Sequence, residues 1–104
     1  MTKLETNALR IIEFLYPDID INGIEKYKDF FSSYNGLMPI VYECNKSNVD
    51  YPININPPQI TAFPGNDLDI YRYDTEPEFI EALQLAVIKY LEIKNDNSRV
   101  QQTI

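Results

Sequence analysis

Phe79, Ile80, Leu83, Ala86, Val87, Tyr90 and Leu91 recur at helical spacing and form a wide apolar stripe. The start of this helix is written just ahead of it. Thr75 and Glu78 have the spacing of a capping box, Pro77 falls in the first turn where a missing N–H is tolerated, and Glu76, Glu78 and Glu81 load the end where the helix dipole favours negative charge. The pattern predicts a helix over residues 76–94, followed by a polar, loose tail over residues 96–104. A helix with so broad an apolar face must bury it, and the rest of this 104-residue chain has to supply the partner surface. That length suits one domain, here residues 1–95, with one modest core.

Upstream, residues 2–16 read as a second amphipathic helix. Thr2 and Glu5 form a capping-box pair, Leu4, Ala8, Ile11, Ile12 and Leu15 share a face, and Pro17 ends the run. Residues 18–22 read as a connector, and residues 23–31 as a short helical turn or an aromatic-rich loop, with Ile24, Tyr27, Phe30 and Phe31 at helical spacing. Residues 35–45 are expected to be helical, capped by Asn35 or Gly36, with Pro39 in the first turn and Leu37, Met38, Val41 and Cys44 on one face. A strand is the rival reading for the run from Leu37 to Tyr42, and Pro39 argues against a central one. Three short strands follow, over residues 51–56, 59–63 and 67–74, separated by Pro57-Pro58 and by Pro64-Gly65-Asn66. Connections this short predict an antiparallel meander. The expected fold is α+β, a three-layer α/β/α sandwich in which amphipathic helices cover a small antiparallel sheet of about three strands.

Two segments also carry a family resemblance. Tyr34-Asn35-Gly36-Leu37-Met38-Pro39-Ile40-Val41 is similar to a "WxxLMPVV"-type helix start, with Tyr34 and Asn35 where tryptophans are usual. The segment from Glu78-Phe79-Ile80-Glu81-Ala82-Leu83 to Ala86-Val87-Ile88-Lys89-Tyr90-Leu91 resembles an "IEAxYxAVVxFI" closing helix. Together they resemble small phage and prophage proteins described as having an ABA-sandwich domain. The resemblance implies a layered α/β/α fold and a mobile-element origin, and brings no functional residues with it.

The residue inventory narrows the chemistry. The chain has no His and one Cys, so Ser-His-Asp and Cys-His nucleophile systems and the usual structural zinc sites cannot be assembled from it alone. Cys44, on an apolar helix face, reads as an inert core thiol. The acids Asp67, Asp69 and Asp74 lack the calcium-loop pattern and read as solvated turn and edge carboxylates. The three glycines are isolated, so no phosphate-cradling loop exists, and no cofactor, metal or catalytic residue is expected. Asn45-Lys46-Ser47 matches a glycosylation sequon by chance, since no signal segment or bilayer-length apolar run is present and the lone cysteine suits a reducing cytoplasm.

A net charge of −7 opposes direct binding to nucleic-acid phosphates and suits a basic protein partner. Two groups of residues stand out as binding candidates. Tyr71, Arg72 and Tyr73 combine residue types that dominate protein interfaces, with both tyrosines on the strand face expected to lie beneath a helix. Tyr27, Phe30 and Phe31 would mark an interface if their rings were exposed together. The resulting expectation is a small accessory protein that binds a host or phage protein without catalysis. The alternatives are a self-associating protein such as a homodimer, an immunity-type inhibitor of a basic toxin, and a sequestering binder of a nucleotide signal using Arg72, Lys89 and Lys94.

Overall fold

The computed structural model describes residues 2–47, 52–62 and 69–103, from residue 96 as backbone only. Among the described residues the elements are α1 (Lys3–Leu15), α2 (Ile21–Phe30), α3 (Tyr34–Ser47), β1 (Ile53–Asn56), β2 (Gln59–Ala62), β3 (Asp69–Arg72) and α4 (Glu76–Thr103). The architecture is α+β: four helices and one antiparallel sheet in the order β1-β2-β3. The turn at Pro64-Gly65-Asn66 and the strand positions Tyr51, Phe63, Asp67 and Leu68 lie outside the described residues.

The α1 capping box is complete, and Thr75 caps α4 through its hydroxyl. Thr2 Oγ1 accepts from the Glu5 amide at 3.1 Å, and Thr75 Oγ1 accepts from the Glu78 amide at 3.3 Å. Residues 21–30, read from sequence as the end of a connector followed by a short helical turn or an aromatic-rich loop, form a helix of 10 residues. Its cap is Asp20, whose carboxylate accepts from the Gly23 amide at 2.8 Å. Between Ile21 and Phe30 no residue is fully buried, so the core leaves no clear stripe in that sequence.

The helical reading of residues 35–45 holds, with a shifted start. Ser33, rather than Asn35 or Gly36, caps α3: its Oγ accepts from the Gly36 amide at 3.3 Å and its carbonyl from the Leu37 amide at 3.2 Å. Pro39 therefore sits in the second turn, inside the helix. Pro39 has no N–H to donate to the carbonyl of Asn35, which is an exposed residue. Gly36 lies against the last carbonyl of α2, at Phe30, close enough that a Cβ there would overlap the Phe30 oxygen.

In the sheet, Ile53 faces Ala62 across β1 and β2, and Ile60 faces Tyr71 across β2 and β3. Ile53, Ile60 and Ala62 are buried and Ile55 and Tyr71 half-buried against the core, whereas Asn54, Asn56 and Ile70 lie on the opposite face, exposed to solvent. β1 is tied to α3 by a side chain. Asn45 Oδ1 accepts from the Ile53 amide at 2.7 Å, and Asn45 Nδ2 donates to the Ile53 carbonyl at 2.9 Å. Asn45 thus satisfies both backbone groups of Ile53 on the outer edge of the sheet, as a neighbouring strand would. Both polar atoms of the sequon asparagine are occupied in this way.

α4 is the hub of the molecule, packing on α1, α3, β2 and β3. Ala82, Leu83, Gln84, Ala86, Val87 and Ile88 are all buried, so its middle is enclosed almost all round rather than along one stripe. Complete burial of Leu83 alone is worth about 1.5–3 kcal/mol. The helix runs on to Thr103, past Lys94 where the apolar pattern ends. No glycine or proline follows Pro77 to stop the backbone.

Gln84 is the one buried polar residue among those described. Its Nε2 donates to the Leu4 carbonyl at 2.9 Å and to the Phe31 carbonyl at 2.8 Å, joining α4 to the start of α1 and the end of α2. The Phe31 carbonyl is one of the unbonded groups at a helix C-terminus, and burial obliges it to find such a donor. The Gln84 Oε1 atom is buried without a hydrogen-bond partner.

Candidate functional site

The sequence candidates separate in three dimensions. Tyr71 and Arg72 lie beside Lys3, Glu78 and Glu81 in a polar pocket of about 340 Å³ between β3 and α4. Tyr71 is half-buried and donates its hydroxyl to Asp69 Oδ2 at 3.2 Å. Burial, then the neighbouring Asp69 charge, pushes its phenol up to about 12. Arg72 is exposed, while Tyr73 joins a different group of rings described below. In the second candidate set Phe31 is buried, only 3 % exposed, and belongs to the core, so the three rings are not exposed together. Tyr27 is half-buried, stacked on Tyr16 at 5.0 Å, and only Phe30 is truly exposed.

Two of the three cations named for nucleotide binding, Lys89 and Lys94, are engaged. Lys89 Nζ contacts Asp69 at 2.8 Å, and Lys94 Nζ contacts Glu43 at 3.0 Å. The Lys89 ammonium holds the Asp69 carboxyl below its ordinary range. Among the described residues no three His, Cys, Asp or Glu side chains are placed to share a metal ion, and no helix is long and apolar enough to cross a membrane. Asp67, one of the three strand acids, lies outside the described residues.

Cys44 is fully buried, and desolvation pushes its thiol up to about 11. A thiol so protonated is a poor nucleophile at neutral pH. Labelling of the folded protein by a thiol reagent at pH 8 is expected to run at least about 100-fold slower than in denaturant. Comparable rates in the two conditions would place Cys44 at the surface.

A second concave feature lies elsewhere, at the end of the sheet. It is a groove of about 550 Å³ lined by Tyr34, Ile55, Pro57, Tyr73 and Phe79, with Asp74, Thr75 and Glu76 along one side. Each wall comes from a different element. Tyr34 is the first residue of α3, Ile55 belongs to β1, Pro57 to the β1–β2 turn, Tyr73 follows β3, and Phe79 is in the first turn of α4. The Tyr73 and Phe79 rings meet edge to face at 4.9 Å, and Tyr34 lies nearly parallel to Phe79 at 6.3 Å.

Short-range bonds fix these walls. The Tyr73 amide donates to the Pro58 carbonyl at 2.9 Å, which anchors it to the β1–β2 turn. Thr75 caps α4 below Phe79, and Ser33 caps α3 below Tyr34. The groove is therefore largely preformed, as binding clefts usually are. Sequence reading found Tyr73 but not Tyr34 or Phe79 as its companions. Phe79 looked like one more core residue of the α4 stripe, and nothing local announces that Tyr34 meets it.

The groove is aromatic with an acidic side. No Lys or Arg lines it, and neither Asp74 nor Glu76 is in an ion pair among the described residues. It contains no nucleophile–base pair. Its chemistry is that of surface recognition: ring faces and carbon for contact, carboxylates for sign. The chain matches no protein-family model, no curated protein and no solved structure.

Proposed function

We propose that this chain acts by binding another protein, without catalysis, and that the groove between Tyr34, Tyr73 and Phe79 is its contact surface. One observation carries the reading: the rings of Tyr34, Tyr73 and Phe79, from separate parts of the chain, converge on an open cleft. Aromatic side chains supply large contact area at low entropic cost, and they dominate protein interfaces. Tyr34 remains 47 % exposed, so that contact area is still unspent.

The proposal keeps the setting implied by residues 34–41 and 78–91, a small phage or prophage accessory protein working in the cytoplasm. The three-layer α/β/α arrangement belongs to it as well. α4 lies over one face of the sheet, and the face carrying Asn54 and Ile70 is open to the layer that would complete it.

Selection from a displayed random-peptide library tests the reading. Enriched peptides are expected to bind the wild-type protein at least about tenfold more tightly than Tyr34→Ala, since truncating one aromatic anchor costs about 1–2 kcal/mol. Tyr34 is exposed at a helix start, so this change leaves the core intact. Failure to enrich any peptide, or enrichment that ignores Tyr34, would remove the groove from the function.

A further inference from the structure

The surface of this molecule repeats one arrangement. The Arg10 guanidinium lies 5.3 Å from the centre of the Phe14 ring, and its Nη2 contacts Glu92 Oε1 at 2.7 Å. The Lys94 ammonium lies 5.8 Å from the Tyr90 ring and 3.0 Å from Glu43. In each case a cation is held between a ring face, which attracts it through the quadrupole, and a carboxylate. The groove has the ring faces and the carboxylates of that arrangement, Asp74 and Glu76, and lacks the cation.

We propose that the groove takes an arginine side chain from a basic partner protein, its guanidinium plane against the Tyr34, Tyr73 and Phe79 rings and its N–H groups toward Asp74 or Glu76. This rests on the reading of the groove as the binding surface and names what fills it. Arginine fits better than lysine. Its planar group stacks on rings, is weakly hydrated and presents a fork of donors to a carboxylate, whereas an ammonium is a compact and strongly hydrated point charge. A groove walled by Ile55, Pro57 and three rings favours the group that sheds water more readily. The chain's net charge of −7 draws a basic partner toward it from any direction, and the groove adds the local reason for docking there.

The test is a nuclear magnetic resonance titration of the full chain with short capped peptides that differ at one central residue: arginine, citrulline, lysine or leucine. Citrulline keeps the shape of arginine and removes the charge. The arginine peptide is expected to shift resonances of Tyr34, Tyr73 and Phe79, and to bind at least about tenfold more tightly than the citrulline peptide. The doubly changed Asp74→Asn, Glu76→Gln protein is expected to lose most of that preference, and added salt to weaken it. Both acids are exposed, so the fold tolerates the change, and the citrulline comparison needs no protein variant at all.

If the leucine or citrulline peptide binds the groove as well as the arginine peptide, the arginine inference is wrong while the groove remains a binding surface. If no peptide moves these resonances and library selection also fails, both readings fall together.

Discussion

Gly36→Ala is expected to destabilise the fold by about 3 kcal/mol. Elsewhere in a helix the same change would stabilise by up to about 1 kcal/mol, because alanine has the better helix propensity. The sign reverses here because the added methyl would meet backbone, not a movable side chain. Its ideal position overlaps the Phe30 carbonyl oxygen, at the end of α2. That oxygen is pinned in turn, since the Ser33 hydroxyl donates to it at 2.7 Å. Relief requires α2 and α3 to separate, which would also move Tyr34 at the head of α3. Urea denaturation followed by circular dichroism measures the effect, with Asn35→Ala as an exposed control expected to change stability by no more than about 0.5 kcal/mol. Equal stability of Gly36→Ala and wild type would show that the two helices do not meet as described.

Gln84→Glu is expected to cost about 3–5 kcal/mol at pH 7. The amide nitrogen that donates to the Leu4 and Phe31 carbonyls becomes an oxygen facing two acceptors, in a position with no exposure to solvent. Burial and the facing carbonyls would both disfavour the charged form, so the new carboxyl titrates higher in the folded chain than in the unfolded one. The folded state then holds the proton more tightly. Stability is therefore greatest below the unfolded value, near about 4.3, and falls as the pH rises above it. Denaturation at pH 4 and pH 7, each compared with wild type at the same pH, should show a much larger deficit at pH 7. A deficit independent of pH would mean that water reaches the position. Gln84→Met, which keeps length and removes both donors without adding charge, is expected to cost about 1–3 kcal/mol at either pH.

These two positions mark the limit of what the sequence shows. Where the determinants are local, the pattern is legible. The Thr2–Glu5 and Thr75–Glu78 pairs place two helix starts, the α4 stripe names the core helix, and the spacing of Pro57-Pro58 between alternating runs gives the meander. Where an element is held by neighbours remote in sequence, the pattern weakens. α2 buries no residue completely, so the helical spacing of Ile24, Tyr27 and Phe30 and the Asp20 cap signal it only faintly. Gln84 reads as an ordinary polar residue on a long helix, because its partners lie 80 and 53 residues away. Tyr71, Arg72 and Tyr73 look like one patch by adjacency, but β3 ends at Arg72, so Tyr73 beyond it lines the groove while Tyr71 and Arg72 line the pocket beside Lys3. The groove itself exists only once α3, the β1–β2 turn and α4 converge.

The bridge from Asn45 to Ile53 bears on how such sheets can join. An antiparallel sheet with two bare margins invites end-to-end stacking into ribbons. Here the amide of Asn45 occupies the outward main-chain groups of Ile53, so that stretch of β1 offers no free ladder groups to another strand. Strand addition is therefore disfavoured at the Ile53 end of β1.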